Sequence, residues 1–74
     1  MINLYLYEIN GKIDGGEIVE FITAPTLHRA TIKAREILAN TYAGRTITDA
    51  VIFRVFTTGT GERHALKLET GAEL

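Results

Sequence analysis

The side chains able to do chemistry in this chain are two histidines, His28 and His64, a scatter of carboxylates and several threonines; serine and cysteine are absent. Serine and cysteine nucleophiles are therefore excluded, and so are disulfides and thiolate metal sites. The histidines are far apart in sequence, and neither has a companion at HxxH or HxxE spacing. Glu8, Glu17 and Glu20 are candidates for a carboxylate cluster across a first hairpin, able to do acid–base work or to hold a cation weakly. They lack any ligand-loop spacing, so their ordinary place is a solvated face. Gly59-Thr60-Gly61 has the glycines of a phosphate cradle, but it is too short for a Walker loop and no Gly-Lys-Ser/Thr follows. It also lies between two strands, where no helix N-terminus would meet a phosphate. No catalytic residue, metal ligand or cofactor is assigned, and the expectation is a protein that is not an enzyme.

The elements that would position a site are legible from periodicity. Residues 2–9 alternate with period two and read as a strand. Asn10-Gly11 is the strongest two-residue hairpin signal, and Gly15-Gly16 then reads as a bulge or a widened loop in the return strand. Residues 17–23 form a second strand. Pro25 ends it, Thr26 is the expected N-cap, and Leu27, Ala30, Thr31, Ala34, Ile37, Leu38 and Tyr42 recur at helical spacing up to Gly44, the expected C′ glycine. Residues 46–58 give a third strand with an irregular start near Thr48-Asp49. A loop at 58–61 and a polar edge strand at 62–68 follow, and residues 69–74 read as a frayed tail. The order is ββαββ, an α+β domain in which one helix crosses one face of a four-stranded, mostly antiparallel sheet. The third strand is assigned a central position.

The stretch Val51-Ile52-Phe53-Arg54-Val55-Phe56 is apolar on both faces, and Arg54 is its only polar interruption. A sheet half-covered by one helix should alternate apolar and polar residues; this one does not. Strand parity sorts its side chains into two sets. Leu4, Leu6, Val19, Phe21, Val51, Phe53 and Val55 form one, and they are assigned here to the helix. Tyr5, Tyr7, Ile18, Ile22, Ile52, Arg54 and Phe56 form the other and are expected to lie uncovered. Contiguous exposed apolar surface marks interaction sites, and Tyr, Phe and Arg are enriched at interface centres. Tyr5, Tyr7, Ile52, Arg54 and Phe56 are therefore the expected partner-binding residues.

Length and charge bound the function further. The chain has 74 residues, with eight Lys and Arg against nine Asp and Glu. A domain this small has a thin stability margin, so good packing or a partner subunit must support it. The near-neutral balance argues against a general polyanion binder. The basic residues concentrate on the helix, where Arg29, Lys33 and Arg35 are the candidates for an alternative reading as a nucleic-acid-binding accessory protein. His28 and Arg29 fall in the first helical turn, where the macrodipole disfavours cations and an anion would be welcome. No apolar run reaches membrane-spanning length and the first residues do not read as a signal peptide, so a cytoplasmic protein is expected. Size and missing active-site chemistry give the chain the general character of accessory proteins from phages and other mobile elements, which block or adapt a larger host complex. The expected function is protein binding, to itself as a homodimer or to such a complex, through the open sheet face.

Overall fold

The computed structural model describes residues 3–68. Strands β1 (Tyr5–Ile13) and β2 (Gly16–Ala24) form a hairpin, helix α1 (Leu27–Thr41) follows, and β3 (Thr48–Phe56) leads to two short strands, β4 (Gly59–Thr60) and β5 (His64–Ala65). The fold is the expected small α+β domain. In the sheet β1 lies between β2 and β3, and β4 and β5 both pair with the outer side of β3. The third strand is thus central, as its composition implied. The expected tail, 69–74, lies outside the described residues.

Two turn readings change. The hairpin does not turn at Asn10-Gly11. β1 runs through both residues, and Ile13 pairs with Gly16 across a two-residue loop of Asp14 and Gly15. Gly15 adopts φ +70° there, a conformation glycine reaches without a Cβ clash. Gly11 serves a different purpose. A Cβ at that position would come within 3.3 Å of Ile47 Cγ2 and 3.6 Å of the Ala50 Cα. It lies beside a bulge: two steps of β1, Asn10 to Lys12, span three steps of β3, Val51 to Thr48. The extra residue puts Asp49 at φ 55°, a region aspartate visits more readily than most residues. This is the irregular start expected near Thr48-Asp49.

The single edge strand expected at 62–68 is replaced by two short pairings with a slip between them. Val55 pairs with Thr60 and Ile52 with His64, so three steps of β3 face four on the returning chain. Gly61 sits in the slip. Its amide donates to the Arg54 carbonyl at 2.8 Å, and the Phe56 ring packs where a Cβ would be, 3.3 Å away.

α1 begins where the sequence placed it. Thr26 is extended and its hydroxyl accepts from the Arg29 amide at 3.1 Å, a side-chain N-cap. At the other end the cap residue is Tyr42, and Gly44 takes positive φ two residues beyond it. Ala30, Ala34 and Leu38 are buried, with Leu27, Ile37 and Tyr42 packed around them. The two small alanines let the helix axis approach the sheet closely. Below them lie Tyr7, Ile9, Ile18, Ile22, Ala24, Ala50 and Ile52, and Leu66 closes the core beyond β3.

That core reverses the expected assignment of the faces. The two residue sets were grouped correctly, because the β1–β2 and β1–β3 registers hold each set together. The helix, however, covers the Tyr7, Ile22 and Ile52 side. The physical reason is connectivity. β2 and β3 are both antiparallel to β1 and hence parallel to each other, and α1 is the crossover between them. Such crossovers are right-handed almost without exception, which leaves the helix one face only.

Candidate interaction surface

The open face is built by three adjacent strands. On β1 the residues on this side are Leu4 (just before the strand), Leu6, Glu8, Asn10 and Lys12. Opposite them on β2 stand Thr23, Phe21, Val19 and Glu17, and on β3 stand Val55, Phe53 and Val51, in the observed register. The apolar members are widely exposed: Leu4 60%, Leu6 40%, Val19 54% and Phe21 56%. Val51 and Val55 are half-buried. Leu4, Leu6, Val55, Phe21 and Val19 make one contiguous apolar area that no element of the described chain covers.

Phe53 is the exception on this side, only 2% exposed. The Arg63 guanidinium lies over its ring, with Cζ 4.3 Å from the centroid. Here the slip before β5 matters, since it puts Arg63 on the Phe53 side and His64 on the Ile52 side. Glu8 stands between Phe21 and Phe53 in the same row. Its Oε2 accepts a 2.9 Å hydrogen bond from Asn10 Nδ2. Towards the hairpin end the face turns polar, and Lys12 Nζ lies 3.9 Å from Asp49 Oδ2 with both side chains largely in water.

The expected partner-binding residues divide, and Phe56 among them is 44% exposed. Tyr7 and Ile52 are 4% and 0% exposed beneath α1, so they are core and not surface. Tyr5, Arg54 and Phe56 do come together, at the margin of the helix-covered face. The Arg54 guanidinium sits 3.7 Å from the Tyr5 ring centroid and 4.6 Å from that of Phe56. Arg54 is half-buried in this stack, which satisfies it by cation–π contact within the chain. It joins the ends of β1 and β3 through these two rings.

The basic residues of α1 are dispersed. Lys33 Nζ donates to the Thr23 carbonyl of β2 at 2.9 Å, whereas Arg35 Nε donates to the Lys67 carbonyl beyond β5 at 2.9 Å. These carbonyls lie on opposite edges of the sheet, and residues two apart on a helix do not share a face. Arg29 falls on the Lys33 side. His28 and Arg29 are exposed in the first turn. The carboxylates are dispersed as well. Glu8 and Glu17 point to the open face, while Glu20 points to the helix side and accepts a 2.7 Å hydrogen bond from the Tyr42 hydroxyl. That bond, followed by desolvation and the Glu20 charge, raises the Tyr42 pKa above its ordinary 10.0, and Arg45 opposes it.

One cleft of about 570 Å³ opens at the C-terminal end of α1, lined by Leu38, Tyr42, Arg45, Ile47 and Leu68 among others. It is broad, and Arg35, Glu36 and Thr46 also line it. No described helix is long and apolar enough to cross a membrane. Comparison of the chain with family models, curated proteins and solved structures finds no match.

The residues that sequence reasoning missed are Leu4, Leu6, Val19, Phe21, Glu8 and Arg63. Strand parity puts the first four on one face, and the helix packs on the opposite one. Arg63 had no signal, because its position depends on a one-residue slip in the returning chain.

Proposed function

We propose that the protein is a non-enzymatic protein-interaction module that binds through the sheet face opposite α1. The observation that carries this reading is the contiguous exposure of Leu4, Leu6, Val19 and Phe21 on that face. Each such side chain is worth about 1.5–3 kcal/mol on full burial. A domain this small would gain a large fraction of its whole stability by covering them. Exposed apolar patches of this kind are characteristic of docking sites. The reading is in keeping with a short accessory protein that engages a larger complex or itself, and a mobile-element origin belongs to the same proposal. The nucleic-acid alternative gains no support, since Lys33 and Arg35 diverge to opposite edges. The test is to replace Phe21 or Leu6 with Glu. Either variant should keep the circular dichroism spectrum of the wild type and lose its association, with itself or with whatever protein it captures. Association that survives both changes removes this face as the site.

A further inference from the structure

Resting on that reading, we infer that the occupant of the open face is a second copy of the same chain, packed sheet to sheet about a two-fold axis. The first argument is charge. A foreign apolar surface laid on this face would bury the Glu8 carboxylate between Phe21 and Phe53 with Asn10 as its hydrogen-bond partner. Burying a carboxylate without an opposite charge is expensive. The face carries its own answer one strand away, the Arg63 guanidinium over Phe53. Among the described residues the one ion pair is Lys12–Asp49, so Glu8 and Arg63 do not pair within the chain. An isologous dimer sets each residue of the patch against a different residue of its copy. A two-fold axis running along the strands between β1 and β3 brings Glu8 of each copy to Arg63 of the other, and both charges are met twice. Of the remaining charges on this face, Lys12 is met by Asp49 within the chain.

The second argument is area. Three nine-residue strands about 4.8 Å apart, at about 3.4 Å per residue, give a footprint of roughly 14 by 30 Å, and the two-residue strands β4 and β5 add a partial fourth row. Two such footprints cover about 850 Å², and the partial fourth row brings this to about 1,000 Å² before side-chain relief is added, the lower bound for a specific interface. Sheets of this kind pack face to face about 10 Å apart, with their strands within about 30° of alignment. Val19, Phe21, Leu4 and Leu6 then flank the central charge pairs.

The experiment is light scattering coupled to size-exclusion chromatography over a concentration series, with circular dichroism to establish that each variant is folded. The wild type should run as a dimer. Glu8→Arg and Arg63→Glu should each run as monomers, because each sets like charges against one another twice. An equimolar mixture of the two single variants should recover the dimer, since every contact in the mixed pair is again of opposite sign. If Arg63→Glu fails to fold, Glu8→Gln in the otherwise unchanged chain should weaken the dimer by roughly tenfold or more. A wild type that stays monomeric at every concentration overturns the second copy as occupant and leaves the face open to a foreign partner. A dimer indifferent to Phe21→Glu overturns both this inference and the reading on which it rests. A dimer that Phe21→Glu breaks but Glu8→Gln does not weaken overturns the Glu8–Arg63 arrangement.

Discussion

Phe21 and Phe53 offer a direct test of how the two sides of this sheet are used. They are the same residue type, on the same face and in the same row, each paired across from Glu8. They differ in cover: Phe53 is 2% exposed and Phe21 56%. A buried Phe→Ala change costs about 3–5 kcal/mol, transfer and cavity terms together. Phe21 has less than half of its surface covered, so its truncation should cost about 1 kcal/mol on a scale of 1.5–3 for full burial. At 0.05–0.15 kcal/mol per residue the whole domain is worth about 4–11 kcal/mol. Phe53→Ala should therefore remove roughly a quarter or more of the total. With a urea slope of about 1 kcal/mol/M, its midpoint falls by about 3–5 M and that of Phe21→Ala by about 1 M. The measurement is equilibrium unfolding at a protein concentration too low for association to add stability. Equal losses, or a larger loss at Phe21, would refute the claim that Arg63 and the neighbouring strands seal Phe53 while leaving Phe21 open.

Further outcomes follow from the same geometry. Ile52→Asp places an unpaired charge at a 0% exposed position and should leave the chain unfolded by circular dichroism at any temperature. Thr26→Ala removes the hydroxyl that caps the Arg29 amide and should cost about 1 kcal/mol in thermal or urea unfolding. Gly15→Ala forces a side chain into φ +70° and should cost about 1–2 kcal/mol, whereas Gly16→Ala, with open space at its Cβ and no positive φ, should cost clearly less in the same assay. The Tyr42 phenol titrates above its ordinary 10.0 because it donates to Glu20. A group whose folded pKa is raised supports the fold fully below its unfolded pKa and loses that support as pH rises through the folded one. Stability should thus fall above pH 10 in the wild type, and Tyr42→Phe should flatten that limb of a urea-midpoint profile.

Much of this fold is legible in the sequence, and the parts that are not share a cause. Period-two alternation in residues 17–23 and the helical stripe from Leu27 to Tyr42 depend on local chain geometry and appear where expected, whereas the strand expected at 2–9 runs as Tyr5–Ile13. The partition of the sheet's side chains into two sets follows from parity and also holds. Which set meets the helix is a long-range property. It depends on β1 lying between β2 and β3, and no local pattern encodes strand order. Both sets are apolar enough to serve, so hydrophobicity could not decide. The turn has the same character. Asn10-Gly11 and Asp14-Gly15 are equally good hairpin signals in isolation. What separates them is the approach of Ile47 and Ala50 to the bare Cα of Gly11, a contact made by residues more than thirty positions later.

The same long-range logic explains why Arg54 and Arg63 exchange roles. Arg54 interrupts the most apolar strand and therefore stands out in the sequence, yet the Tyr5 and Phe56 rings enclose it within the chain. Arg63 stands in an ordinary polar stretch and is brought onto the open face by a single inserted residue. A guanidinium stacked on a ring keeps its donors at the edge of the stack, free to meet a carboxylate. Glu8, set among apolar neighbours, makes a bare hydrophobic partner unfavourable and a partner with a matching cation favourable. A surface that carried only Leu4, Leu6, Val19 and Phe21 would stick to many things; on the proposed reading, the central carboxylate is what would make the same surface selective.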